Sequence, residues 1–373
     1  AAVAISGGLI AWTGNESDIP ADYTDLPGLD AGGAAVLPGF VDPHTHIVFA
    51  GERSDEFARR LRGETYEEIL AAGGGIRSTV AATRAASEDE LLDEAAERAW
   101  RMLSQGTTTV EVKSGYGLDV ATEAKMLRVA RRLDKLLPID VVPTFLGAHV
   151  LPAEYANDRD AYVDLVCGEM LDGCASDARF CDVFCDQAAF TVDETRRILE
   201  AARRHGLDAR VHADQLGRVG AASLAADLAA ASADHIDHAT AHDLAAMRDA
   251  GTVAVLLPAV SFSMQLPYPD GRRIWDSGVT VALATDSNPG TAYVQSMPFV
   301  IALAVLNLGL TPDEAVWAAT RGGAMSLRMP DRGQVVPGAQ ADLVVLDAPT
   351  HLHLPYRPDG DLVAAVVKRG TIL

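Results

Sequence analysis

The chain has 373 residues, 49 % of them hydrophobic, enough to bury a sizeable core in one large domain or two unequal ones. Lys and Arg number 31 against 52 Asp and Glu, a formal charge of −21 that disfavours nucleic acid and anionic lipid as partners. No uncharged apolar run is long enough for a membrane span, and four cysteines make no disulfide framework, which fits a reducing cytoplasm.

The sequence begins Ala-Ala-Val-Ala-Ile, without Met and without a signal-peptide pattern, so a clipped N-terminus is expected. Residues 1–35 alternate short apolar runs with Gly, Asn, Asp and Pro, the rhythm of antiparallel strands. From Val36 the pattern changes to strand-like runs separated by amphipathic segments. The strands are expected at Val36–Val41, Thr107–Val112, Asp140–Leu146, Cys181–Cys185, Ala209–Val211, Ser232–Ile236, Val253–Leu257 and Val279–Ala284. Helical patterns lie between them, at Glu88–Leu103, Val120–Leu136, Ala153–Leu171, Val192–His205, Arg218–Ala231 and His242–Ala250. Ser87 with Glu90, Thr191 with Glu194 and Thr311 with Glu314 have the spacing of capping boxes. Eight strands alternating with helices predict an α/β chain, a (β/α)8 barrel over 36–333. No G-x-G-x-x-G follows a strand, which weighs against a doubly wound sheet. The end of the chain returns to short strands. Residues 1–35 and 334–373 are therefore expected to form a small β-sandwich domain, its N-terminal part incomplete.

Active sites of such barrels form at the C-terminal ends of the strands. The first strand ends in His44 and His46, two apart and so on one face. The third ends at His149, the fifth carries His212 and Gln215, the sixth His235, and the eighth runs into Asp286-Ser287-Asn288-Pro289-Gly290. Five of the ten histidines thus fall at strand ends, a pattern suited to a divalent metal held by neutral imidazoles. The segment Gly51–Thr83, with Gly73-Gly74-Gly75, reads as a long functional insertion after the first strand.

The VDPHTH opening, the later strand-end histidines and the Thr285-Asp286 pair resemble the amidohydrolase superfamily. Phe49-Ala50-Gly51-Glu52-Arg53, the glycine triplet with Ile76, Lys113-Ser114-Gly115-Tyr116-Gly117 and Asp286-Ser287-Asn288-Pro289-Gly290 narrow this resemblance, over the whole chain, to the imidazolonepropionase family. The resemblance implies His44, His46, His212 and Asp286 as ligands of one Zn or Fe ion. The fourth strand ends Phe184-Cys185-Asp186 and offers no lysine to bridge a second metal. It implies hydrolysis of the ring amide of 4-imidazolone-5-propanoate to N-formimino-glutamate, with Asp286 and His235 as catalytic groups. Arg53, Tyr116, His149, Gln215, Asn288, Gly290 and Thr291 are the implied contacts of this small anionic heterocycle, and a homodimer is the implied assembly. Some relatives have Glu where Gln215 stands. An amide cannot accept a proton at neutral pH, so Gln215 is left with a hydrogen-bonding role.

Other residues have plainer readings. Lys113 suits a structural ion pair, His205 a helix C-terminus, and His238 and His242 the surface. His351 and His353 lie far from the barrel mouth, and the cysteines read as core residues. Two rival functions remain: a metal-dependent deaminase of nucleobases or related heterocycles, and a non-catalytic barrel of the same kind. A deaminase is expected to carry Glu beside its fifth-strand His, and a barrel without chemistry to have lost metal ligands.

Overall fold

The computed structural model describes every residue except 25, 65–67, 69–73 and 188. In chain order the strands are β1 (Ala2–Ser6), β2 (Leu9–Gly14), β3 (Val36–Pro38), β4 (Phe40–Asp42), β5 (Thr107–Lys113), β6 (Asp140–Ala148), β7 (Phe180–Cys185), β8 (Asp208–Ala213), β9 (Ser232–His235), β10 (Val253–Leu256), β11 (Val281–Leu283), β12 (Leu343–Leu346), β13 (Val363–Lys368) and β14 (Thr371–Ile372). Strands β4 to β11 pair in sequence order into one parallel sheet of eight. Beyond the ends of β4 and β11, a parallel bridge between Thr45 and Ser287 draws the first and last strands together. It is secured by His46 N–H to Ser287 O (3.0 Å) and Asp286 N–H to His44 O (3.1 Å), so the sheet is a barrel.

The strand expected over Val36–Val41 is two strands. Val36–Pro38 pairs antiparallel with β12 in a four-stranded sheet, and only Phe40–Asp42 belongs to the barrel. Gly39 lies at the break, where a Cβ would sit 2.3 Å from Thr108 Oγ1. The four-stranded sheet runs β14-β13-β12-β3, and the β1–β2 hairpin meets it through a small apolar cluster of Ile10, Ala339, Ala341, Leu343 and Val367. Both chain ends therefore contribute to one β layer beside the barrel.

All three expected capping boxes form, and Thr240 with Asp243 makes a fourth. Helices at Pro258–Met264, Gly271–Asp276 and Met297–Asn307, none of them among the expected helical patterns, help to fill the last third of the barrel wall. The expected helix over Ala153–Leu171 is broken: a single 3₁₀ turn at Ala153–Tyr155, an α-helix at Arg159–Leu165 and a π-turn at Val166–Met170. After β4 the chain forms helix Ser54–Leu61 and, after the undescribed residues, helix Ile76–Ala85. Gly73 lies outside the described residues. Cys174, Cys181 and Cys185 are buried and Cys167 half-buried, all as free thiols.

Candidate metal centre and active site

The barrel delivers buried polar groups to one end. His44 and His46 follow β4, His212 lies within β8, His235 ends β9, and Asp286 follows β11. All five are at most 3 % exposed. His235 (φ 72°) and Asp286 (φ 50°) adopt the left-handed backbone region, rare for side-chain-bearing residues and common where a site aims a group.

The histidine tautomers follow from their partners. His44 Nδ1 lies 2.6 Å from Asp234 Oδ2, and His212 Nδ1 lies 3.0 Å from Asp182 Oδ2. An ionised carboxylate only accepts hydrogen bonds, so His44 carries its proton on Nδ1 and keeps its Nε2 lone pair, and the Asp182 contact favours the same tautomer for His212. The Nε2 atoms converge. His212 Nε2 is 3.4 Å from His46 Nε2, and Asp286 Oδ1 is 3.5 Å from Nε2 of both His44 and His46. His44 Nε2 is buried with no hydrogen-bond partner. Burial, reinforced by neighbouring positive groups, holds His44 and His46 well below the ordinary imidazole range, so both rings are neutral. Burial pushes Asp286 the other way, up to about 7, because nothing in the protein fully compensates its charge. Neutral imidazole nitrogens and a carboxyl converging in a buried site are stabilised by a cation. His44, His46 and His212 are spaced to hold a metal ion, with Asp286 adjoining them.

Beneath the rings is a layer of buried charge. Lys113 Nζ donates to Glu111 Oε1 (2.8 Å) and Asp182 Oδ2 (2.7 Å), and Arg210 donates to Asp234 Oδ2 (3.2 Å) and to the Pro43 and Ser326 carbonyls. Lys113 is thus in the ion pair expected of it. Burial alone would raise Asp182, but His212 and Lys113 beside it hold its carboxyl well below the usual range. Asp42 receives Thr285 Oγ1–H at 2.6 Å and ties β4 to the segment leaving β11. Glu111, Asp182 and Asp234 were not singled out from the sequence; their alternation with strand-end histidines on neighbouring strands was the available signal.

The other expected residues surround this centre unevenly. His149 stacks on His46 at 5.2 Å between centroids, with Nδ1 2.9 Å from Gly115 O. Burial drops it to about 3, so it too is neutral. Tyr116 is buried, 5.4 Å from His149 and 5.9 Å from His46 between ring centroids. His235 Nδ1 is buried without a partner, 5.4 Å from His212 ring to ring. Gln215 is half-buried, and its backbone N–H is fixed by Asp186 Oδ2 at 2.8 Å.

Asn288, expected as a substrate contact, is tied into its own loop. Its Nδ2 donates to Asp286 O and Thr291 Oγ1, while its Oδ1 accepts from Gly290 N and Thr291 N. Both donors and both lone pairs are thereby used, and the side chain shapes the loop that carries Gly290 and Thr291. Arg53 packs against that loop, its Nη1 2.3 Å from where a Gly290 Cβ would stand. Its Nε and Nη2 bind Glu56. His205 caps a helix C-terminus, and His238 and His242 are exposed. His353 opens a short helix, and His351 Nε2 is 2.7 Å from Asp313.

A barrel of this topology with a histidine–carboxylate centre at the mouth defines an amidohydrolase. The Amidohydrolase family model matches residues 50–373. Among solved structures, the chain is similar to 5-methylcytosine deaminase from Klebsiella pneumoniae (TM-score 0.78, 16 % identity, 100 % of this chain and 93 % of that one). It is also similar to the zinc complex of atrazine chlorohydrolase from Arthrobacter aurescens TC1 (TM-score 0.69, 18 % identity, 100 % and 90 %). Likeness at that identity speaks for the fold. The imidazolonepropionase of Salinispora arenicola is 54 % identical over 99 % of this chain and 91 % of its own length. Those of Mycolicibacterium smegmatis and Myxococcus xanthus are 52 % and 51 % identical over 100 % of this chain and 91 % and 90 % of their own lengths. Within the amidohydrolases the chain belongs to the imidazolonepropionase family.

Proposed function

We infer that the chain hydrolyses the ring amide C–N bond of 4-imidazolone-5-propanoate to N-formimino-L-glutamate, a step of histidine degradation. His44, His46, His212 and Asp286 would hold one Zn or Fe ion. The observation that carries the metal assignment is the convergence of the buried Nε2 atoms of His44, His46 and His212 with the Asp286 carboxyl group. When bound, such an ion supplies Lewis acidity that makes water nucleophilic near neutral pH.

The chain's own groups do the rest. Asp286 takes a proton from the attacking water and delivers it to the leaving ring nitrogen. His235, with Nδ1 buried and unpartnered, hydrogen-bonds the water or the developing oxyanion. Gln215 orients the ring by hydrogen bonding, with His149. Arg53 and Tyr116 take the propionate carboxylate, and Gly290 and Thr291 line its path. A nucleobase deaminase would have no use for Arg53 and would want a carboxylate at Gln215, so the imidazolone reading is preferred. Among the described residues no helix is long and apolar enough to cross a membrane. We place the enzyme in the cytoplasm as a homodimer without a nucleic-acid partner, supported by the free thiols, the net charge and the family resemblance.

The test is metal content together with turnover of freshly generated imidazolone propanoate by wild type and Arg53→Ala. One metal per chain, hydrolysis by wild type and a raised KM in the variant are expected. Metal without imidazolone turnover, but with ammonia release from nucleobases, overturns the reading in favour of a deaminase.

A further inference from the structure

Arg53 is not alone at the Gly290 loop. Helix Ser54–Leu61 begins immediately after it, and Glu56 and Arg60, four apart, share one face of that helix. Both oxygens of Glu56 are engaged. Arg53 Nη2 binds Oε1, while Arg53 Nε (3.0 Å) and Gly75 N–H (2.8 Å) bind Oε2. The Arg53–Glu56 pair is therefore close to neutral, a poor anchor for an anion in a chain of net charge −21.

Arg60 supplies what the pair lacks. Its Nη1 reaches Gly290 O at 3.4 Å and its Nη2 reaches Ser263 O at 3.5 Å, both at the outer limit of hydrogen bonding. Among the described residues no carboxylate oxygen lies within 4 Å of its guanidinium. Burial first, and Arg53 nearby, lower its pKa, while Glu56 acts in the opposite sense. Two guanidinium groups thus flank one glycine of the loop after β11, and among the described residues the carboxylate paired with them is that of Glu56. The surplus positive charge stands at the barrel mouth, and the loosely held fork of Arg60 is free to re-aim.

We propose that Arg60 is a second carboxylate-recognition residue, which joins Arg53 in gripping the substrate's acidic tail and gives the site its preference for an anionic over a neutral ligand. This rests on the reading of the substrate as an imidazolone carboxylate. When the tail enters, its two oxygens exchange the long Arg60 contacts to backbone carbonyls for charge-assisted bonds, and Arg53 keeps Glu56.

The experiment measures binding of 3-(imidazol-4-yl)propanoate and of its methyl ester by calorimetry on metal-loaded protein, which needs no turnover. Wild type is expected to bind the acid at least about tenfold more tightly than the ester, a contrast of one charge-assisted contact. Arg60→Gln should shrink that ratio to about threefold or less, through the acid alone, and Arg60→Lys should restore part of it. Arg60→Met, which retains the apolar stem, serves if the amide variant is unstable. In turnover, the same variants should raise KM with kcat within about twofold, the signature of lost uniform binding. An acid-to-ester ratio unchanged in Arg60→Gln and Arg60→Met overturns the proposal. Equal weakening of both ligands also overturns it, since it would make Arg60 a strut between loops. Failure of wild type to hydrolyse imidazolone propanoate is a separate result and bears on the reading above.

Discussion

Lys113 Nζ lies 2.7 Å from Asp182 Oδ2, and that same oxygen is 3.0 Å from His212 Nδ1. One buried ammonium thereby sets the charge of the carboxylate that fixes a histidine's tautomer. Lys113, Asp182 and Glu111 are all fully buried. Removing the cation leaves carboxylates without compensation in a medium that solvates them poorly. Lys113→Met should destabilise the fold by about 3–5 kcal/mol, as expected for breaking one side of a buried ion pair. Urea unfolding measures this, and a loss under about 1 kcal/mol would mean that water or a proton replaces the ammonium at little cost.

The outer partner of His44 should act on metal retention rather than on folding alone. Asp234→Asn keeps the shape and an acceptor for His44 Nδ1–H but removes the charge that makes the imidazole a stronger donor. A fall of about 10- to 100-fold in metal affinity is expected, as for other carboxylate–histidine–metal arrangements. Competition against a chelator reads it directly; an unchanged affinity would show that Arg210, bound to the same carboxylate, already cancels its influence.

Gly290→Ala separates recognition from stability. The new Cβ would meet Arg53 Nη1 at 2.3 Å, and the clash is with the far end of a flexible side chain. The fold should accommodate it with a change in Tm of about 1 °C or less, within the scatter of neutral surface substitutions. Arg53 must swing aside, so KM for the imidazolone should rise with kcat little altered. An unaltered KM would place the carboxylate contact elsewhere.

Acid stability has a local contributor in Asp243. Burial alone would raise its carboxyl, but hydrogen bonds from Ser223, Thr240 and Arg218 bring it down to about 2. A group depressed on folding adds stability above its unfolded pKa and loses it as pH falls toward the folded value. Wild type should therefore exceed Asp243→Ala by about 1–2 kcal/mol more at pH 7 than at pH 2, with most of the change between pH 4 and pH 2. Denaturant titrations at both pH values test this, and a pH-independent gap would assign the whole effect to the neutral part of the cap.

Much of this was legible in the sequence because a parallel barrel places its strands in chain order and its chemistry at their ends. The strand-end positions of His44, His46, His212 and Asp286 could be read without a single distance, while their choice as one ligand set came from the family resemblance. The signal failed where periodicity carries no contrast. Helix Met297–Asn307 has no charged residue and is buried along most of its length, so no polar stripe marks it as helical. The strand at Val36–Val41 read as one because an apolar run does not reveal that Gly39 lets it change sheets. The sequence likewise could not show that Asn288 shapes its own loop through four hydrogen bonds. Arg60 went unnoticed for a related reason: its nearest partners, Ser263 and Gly290, lie 203 and 230 residues away.

The seam between the first and last strands is thin. Two backbone hydrogen bonds, from His46 and Asp286, join chain segments about 240 residues apart, whereas the neighbouring strand pairs of the barrel align along three to six residues. The four groups proposed to share the ion straddle this seam, with His44 and His46 on one lip, Asp286 on the other and His212 across from both. Occupancy would then work as a clasp on a bracelet: stripping the ion should loosen the ring at its joint before any other part. The amide protons of His46 and Asp286 would be the first of the barrel's interior to exchange with solvent.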